Sequence, residues 1–293
     1  MLTDDTLARK PSAFTSMTGV TVDEFAELLV DLRPRYEAAR QDEGAARARR
    51  RAPGGGAKRR DALREQLLMT RVCLRLSLTG DAVGVLFAVD KSTVSRYTRP
   101  LLRLLPNRGQ DTLGWPEEAR ALMDTADGVD DVAISDATAQ RVERSRDYAT
   151  QQAHDAGTQQ AHTRKTLIVV NERGCVRDVS PSVSGAIHDL TLRRPSGTRE
   201  EIPPALSLMA DSGFQGLHND APAQNLHNAL LSRVRIVVEN TLAAMKHFRI
   251  FTDVFHHSLD RYDSIFVSIA GVFTRRADRR LPDQRRAALS VVA

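Results

Sequence analysis

Cysteine is nearly absent: Cys73 and Cys175 are the only two in 293 residues. Two thiols make no disulfide framework and, by themselves, no thiolate metal site. The eight histidines include His247 and the pair His256-His257, but none stands at zinc spacing with the cysteines. No apolar run approaches the roughly 18 residues of a membrane span. The opening stretch, MLTDDTLARKPSAF, lacks the apolar core of a signal peptide. These absences point to a cytoplasmic, reduced protein with no membrane partner. Lysine is scarce as well. Lys10, Lys58, Lys91, Lys165 and Lys246 are five of the 42 basic residues, and the other 37 are arginine. Arginine suits bidentate phosphate contacts, although codon bias in a GC-rich genome gives the same skew.

What is present supports a folded chain. Hydrophobic residues make up 41%, enough for a packed core, and the length suits one large or two medium domains. The net charge of +5 hints weakly at nucleic acid, so its placement matters more than its sum. Between Gly44 and Arg64 stand eight basic residues and one acid, Asp61. Pro53-Gly54-Gly55-Gly56 interrupts that run, which reads as a flexible basic loop. A second basic cluster, Arg275 to Arg286, closes the chain. Glu117 to Asp136 carries seven acids and one arginine.

The first part of the chain reads as helical. Thr21 and Glu24 form a capping box ahead of a helix over Val22 to Leu32. Leu63, Leu67, Leu68, Val72 and Leu76 stripe a second helix from Asp61 to Leu78. Asp81 to Phe87 is a short amphipathic helix, and Ala88-Val89 a tight connection. Asp90 then caps a helix from Lys91 to Leu105, stopping at Pro106. Two helices joined by so short a turn form a helix-turn-helix pattern. Val94, Tyr97 and Leu101 face the core. Lys91, Ser92, Thr93, Ser95, Arg96 and Arg99 lie outward or near the N-terminal end, where a recognition helix meets DNA. An ordinary helical hairpin with a solvated face fits this pattern equally, and the adjacent basic loop favours DNA.

After residue 106 the texture changes. Pro106-Asn107-Arg108-Gly109 and Gly114-Trp115-Pro116 punctuate a linker, and Glu117 to Thr125 suits a short helix. Val132 to Ser135 reads as a strand leading into Asp136. Thr166 to Val170, a turn at Asn171-Glu172-Arg173-Gly174, and Val176 to Val183 read as a hairpin. Leu206 to Ala210 is a further apolar run ending at Asp211. His188 to Arg194 and the residues from Leu226 onward read as helical. The whole is a mixed α/β domain of about 140 residues.

The chemistry rests on carboxylates. Asp136 and Asp211 each follow a short apolar run, and sites in covered sheets lie beyond the carboxyl ends of strands. On a helix from Arg233 to Ile250, Val234, Val237, Val238, Leu242, Met245 and Phe248 share an arc of about 140°. Arg235, Glu239 and Lys246 lie within about 40° of one another along one border of that stripe. A surface Arg–Glu pair leaves the same spacing. Three converging carboxylates would need cations, and their hard oxygens suit two Mg²⁺ or Mn²⁺ ions. Such a pair activates the attacking oxygen and stabilises the leaving oxygen of a phosphodiester.

These residues carry a resemblance. Arg235, Glu239 and Lys246 match the signature Tyr-(2)-Arg-(3)-Glu-(6)-Lys, with Ser232 at the tyrosine position. Asp211-Ser212-Gly213-Phe214-Gln215-Gly216 resembles Asp-x-Gly-Tyr-x-Gly around a second catalytic aspartate. Ile134-Ser135-Asp136-Ala137-Thr138 resembles the strand of the first. Gly185-Ala186-Ile187-His188-Asp189 resembles a Gly-x-x-His-Asp segment. Leu86 to Arg96 resembles the associated N-terminal module. Over about residues 20 to 275 the chain looks like a bacterial insertion-sequence transposase of the DDE type. The resemblance implies an α-helical helix-turn-helix region followed by an α/β ribonuclease H-like domain, a mixed sheet flanked by helices. It divides the chain into a helical segment at 1–40, the basic loop at 41–60, the helix-turn-helix at 61–106, a linker at 107–130, the catalytic domain at 131–275 and a basic tail at 276–293.

By that resemblance Asp136, Asp211 and Glu239 hold two Mg²⁺ or Mn²⁺ ions and carry catalysis. Arg235 and Lys246 hold the backbone of the transposon end, while the missing tyrosine removes one DNA contact and no metal ligand. His188 and Asp189 read as a hydrogen-bonded structural pair, with a role near the site as the alternative. The expected partner is double-stranded DNA, at transposon ends and target. Synapsis implies a homodimer or larger assembly, and a nucleoid-associated location follows. Three rivals stay open at this point: a DNA-binding regulator with a silent catalytic domain, a metal-dependent endonuclease without strand transfer, and a basic scaffold.

Overall fold

The computed structural model describes residues 1–46, 62–113, 133–143, 155–156, 161–171, 173–187, 208–210 and 236–279. The chain forms two units. One comprises Met1–Arg108 with His247–Asp253, the other Gly109–Lys246 with Val254–Ala293. The first is helical; the second combines a sheet with helices.

The helical unit begins with α1 (Asp4–Ala8) and α2 (Pro11–Thr18). It continues with α3 (Val22–Ala46) and α4 (Ala62–Leu76). The expected capping box opens α3: Glu24 accepts from the Thr21 N–H at 2.8 Å, and Thr21 Oγ1 from the Glu24 N–H at 3.2 Å. The helix does not end near Leu32. It passes Pro34 and runs to Ala46, through Glu37, Ala38, Ala39 and Gln41, all good helix formers. Residues 41–46, at the start of the expected basic loop, are helical, and residues 47–61 lie outside the described ones. On α4 the expected stripe of Leu63, Leu67, Leu68 and Val72 is buried.

The core of this unit includes a fully buried arginine. Arg71 is 0% exposed, and its Nε donates to the Thr18 carbonyl at 3.2 Å. Its guanidinium lies 5.0 Å from the ring of Phe248, and that of Arg75 lies 5.2 Å from the same ring. A buried charge needs such partners, because isolated burial costs several kcal/mol. Phe248 belongs to the returning segment and is itself fully buried. Arg108 is a second buried cation, paired with Asp31 at 2.8 Å.

Next come α5 (Gly80–Phe87) and α6 (Lys91–Thr112). The Lys91 helix does not stop at Pro106. It contains Pro100 and Pro106 and continues to Thr112. A proline removes one helical hydrogen bond without forbidding the helix when packing holds it, and here Leu101, Leu105, Pro106 and Arg108 are buried.

In the second unit β1 is Ala133–Arg141 and β2 is Asp155–Ala156. The strand β3 is Ala161–Val170, β4 Val176–Val179, β5 Val183–Ser184 and β6 Leu208–Ala210. The order is β2-β3-β1-β6, with β4 and β5 also on β3. The sheet is mixed: β1 pairs antiparallel with β3 and parallel with β6. The expected single strand from Val176 to Val183 is divided into β4 and β5, with Pro181, which has no N–H for a ladder, between them. Residues 236–246 form α7, and Tyr262–Arg279 form α8. Thr274 of α8 donates to the Val176 carbonyl at 2.9 Å, and the Ser182 N–H donates to Asp263 at 3.0 Å. No described helix is long and apolar enough to cross a membrane.

Replacing Phe248 by Ala removes the aromatic surface beneath Arg71 and leaves a cavity. A loss of about 3 kcal/mol or more is expected in urea unfolding of the intact chain. His257 gives a pH prediction. Burial, then the charges of Arg261 and His256, hold its pKa below the ordinary 6.5. The unfolded chain then takes up a proton that the folded chain resists, so stability present above pH 6.5 falls as pH drops through it. His257→Gln should flatten that slope in melting curves from pH 7 to 5.

Candidate active site

Asp136 is the best-placed carboxylate. It is not at a strand end, as its flanking sequence suggested, but is the fourth residue of nine in β1. It pairs with Ile168 of β3, and its Oδ1 accepts from the Ala137 N–H at 2.8 Å. The residues after it, Ala137 to Arg141, are weak β-formers apart from Thr138. The antiparallel ladder from Ile134–Val170 to Arg141–Thr163 holds them extended. Asp136 is half-buried.

The short strand β6 brings the second aspartate's segment beside it. Ala133 pairs with Leu208, Ile134 with Met209 and Ser135 with Ala210. Ser135 and Ala210 are each followed in sequence by an aspartate. Asp211 itself lies outside the described residues, as do Arg235, His188 and Asp189.

Glu239 and Lys246 sit on α7, both exposed. Seven residues apart, they stand within about 20° of each other and about 10.5 Å apart along the axis. Val238, Leu242 and Met245 are buried, and Glu239 and Lys246 lie along the border of that stripe, about 60° and 40° from Leu242. This agrees with the expected stripe, except that the helix ends at Lys246 and Phe248 packs in the helical unit. The β3–β4 turn seats α7. There Asn171 Oδ1 accepts from the Cys175 N–H at 3.0 Å, and Gly174 takes φ +76°. A Cβ on Gly174 would lie 2.9 Å from Thr241 Oγ1, so the turn backbone and α7 approach too closely for a side chain. Thr241 Oγ1 lies 2.9 Å from the Val237 carbonyl and 3.4 Å from that of Gly174.

Three or more His, Cys, Asp or Glu residues do not gather into a metal cluster among the described residues. The donors to be tested for one are oxygens, with Asp136 and Glu239 described, and hard oxygens fit Mg²⁺ or Mn²⁺. The thiols do not contribute: burial raises the Cys73 pKa to about 12, and Cys175 is buried.

The helix-turn-helix is closed by sterics. Thr79 caps α5 by accepting from the Ala82 N–H at 3.3 Å. Ala88 turns the chain with φ +53°, and the Val89 N–H donates to the Gly84 carbonyl at 2.9 Å. A Cβ on Gly84 would meet the Val89 carbonyl oxygen at 2.5 Å, so the turn requires glycine there. On α6, Val94 and Leu101 are buried and Tyr97 half-buried. Lys91, Ser92, Ser95, Arg96 and Arg99 are exposed, and Thr93 is half-buried. Lys91 is paired with Asp81 at 2.8 Å, which ties α6 to α5. Arg96 Nη2 donates to Thr93 Oγ1 at 2.8 Å. Sequence reasoning passed over Arg103, exposed on the same helix. A helical wheel carried seven residues beyond Arg96 reaches it.

Two family models match. One, described as a DDE superfamily endonuclease, matches residues 135–273; the other, the helix-turn-helix of DDE superfamily endonucleases, matches 62–111. Residues 62–111 and 135–273 carry the helix-turn-helix and endonuclease regions of the DDE superfamily. The helix-turn-helix match takes in all of α4 and α5 and nearly all of α6, and the longer match spans Asp136, Asp211 and Glu239. A probable transposase for insertion sequence element IS702, from Microchaete diplosiphon, is 24% identical over 227 residues, covering 72% of this chain and 79% of that protein. No solved structure matches.

Gly174→Ala strains a positive φ and presses on Thr241. It should lower stability by about 1 kcal/mol or more in thermal denaturation. Thr241→Ala should recover part of that loss, because it relieves the contact and leaves the φ strain.

Proposed function

We propose that this chain is a DDE-superfamily DNA transposase that binds terminal inverted repeats and catalyses Mg²⁺-dependent strand cleavage and strand transfer on a ribonuclease H-like domain. The observation that carries the reading is the parallel register of β6 on β1, whose last pair, Ser135 and Ala210, is followed in each sequence by an aspartate. The family match and the name of the IS702 relative support it.

Asp136, Asp211 and Glu239 would hold the cations, and Arg235 and Lys246 would meet DNA phosphates. Bound divalent ions supply Lewis-acid stabilisation of the attacking and leaving oxygens. The carboxylates fix where those charges stand relative to the scissile phosphate. Ser92, Thr93, Ser95 and Arg96 present the recognition face that selects the end, with Lys91 and Arg99 beside them. Two ends in one synaptic complex imply a homodimer or larger assembly. The family description, an endonuclease, also accommodates cleavage without strand transfer. An assay for joining to a supercoiled target separates the two.

Replacing Asp136, Asp211 or Glu239 by Ala should each lower Mg²⁺-dependent end cleavage by a factor of 10³ or so, the order expected when positioned charge stabilisation is lost. DNA binding should remain near wild type in a gel-shift assay. Removing Mg²⁺ with EDTA should abolish cleavage by the wild type. Full cleavage by Glu239→Ala would overturn the triad.

A further inference from the structure

We propose that α6 meets DNA with two chemically different segments. Ser92, Ser95 and Arg96 read base edges, while Arg99 and Arg103 grip backbone phosphates. This rests on the DNA-binding reading of the helix-turn-helix and assigns roles within it.

The geometry supports a division. The helix has 22 residues, so it is about 33 Å long. A recognition helix reads bases with its N-terminal residues, and the groove curves away beyond them. At about 100° per residue, Ser92, Arg96, Arg99, Arg103 and Asn107 fall within an arc of about 80°. All five are exposed. From Lys91 to Gln110 the helix carries no carboxylate, so nothing on this stripe repels a phosphate. The opposite face is fixed by burial of Val94, Leu101 and Leu105.

The arginines of α6 are in three different states. Arg96 is folded back onto its own helix, with Nη2 on Thr93 Oγ1 at 2.8 Å and Nε at 3.4 Å from the Ser92 carbonyl. A guanidinium fixed in this way is pre-organised for one bidentate partner, as a guanine edge requires. Arg108 is buried and committed to Asp31, so it is structural. Arg99 and Arg103 lie between these extremes, exposed and without a hydrogen bond or ion pair to another described residue. Long cations free to follow the backbone suit phosphate contacts, which position without reading sequence. Pro100 separates Ser92, Ser95 and Arg96 from Arg103, with Arg99 immediately before it. It offers no N–H to the Arg96 carbonyl, so the helix can bend at that point.

The test uses the intact chain and fluorescence anisotropy. One duplex is copied from the DNA immediately outside the reading frame; a second has the same composition in shuffled order. Each is titrated across a salt series. Arg103→Gln should weaken both duplexes by the same factor, roughly tenfold, without changing the preference between them. The slope of log K against log salt should fall by about 0.9. Arg103→Lys keeps the charge and should keep the slope. Arg96→Gln should chiefly erase the preference. An unchanged slope in Arg103→Gln, or a loss confined to the flanking duplex, overturns the phosphate assignment while the wild-type preference stands. A wild type that binds both duplexes equally overturns the end-binding reading itself.

Discussion

The parallel pairing of β6 with β1 is the constraint on which the candidate site depends. Parallel strands need a long crossover, so this contact is set by the tertiary fold and not by a local turn. Among the described residues it spans three pairs, from Ala133–Leu208 to Ser135–Ala210. The longer antiparallel ladder with β3 holds β1 itself. The position of the second aspartate's segment is therefore borrowed from a strand anchored elsewhere. A slip of one residue would turn each side chain of β6 to the opposite face of the sheet. Register is thus a chemical variable here as well as a structural one.

The third carboxylate is held by other means. Glu239 is exposed on α7, so its placement comes from what its helix buries and from the close seat at Gly174. After Lys246 the chain passes into the helical unit, where Phe248 lies beneath Arg71 and Arg75. Neither unit is a continuous stretch of sequence. A fragment ending at residue 113 would lack the ring that covers a fully buried guanidinium.

Local devices were legible in the sequence. The capping box at Thr21 and Glu24, the turn after Phe87 and the Asn171–Gly174 turn all lie within a few residues, where side-chain chemistry meets the backbone directly. Non-local outcomes were not. Ala137 to Arg141 became strand because the antiparallel ladder with β3 holds them extended, which overrides weak propensity. The helix α6 passed Pro106 because burial of Leu101, Leu105 and Pro106 outweighs one lost hydrogen bond. The stripe on α7 predicted that Phe248 is buried but not in which core, since periodicity names a face and never its partner. Of the candidate site, Asp136, Glu239 and Lys246 can be placed on their elements, while Asp211 and Arg235 lie outside the described residues.

A site made of carboxylates that acts on a polyanion contains an electrostatic conflict. On the proposed reading Asp136, Asp211 and Glu239 would repel a phosphodiester unless cations stand between them. One exposed cation near Glu239 on α7, Lys246, does not offset three carboxylates, and the exposed arginines of α6 belong to the helical unit. DNA affinity and catalytic charge balance are then separate quantities. Affinity comes from arginines whose effect salt screens. Tolerance of the phosphate at the carboxylates comes from divalent ions. Each can fail without the other.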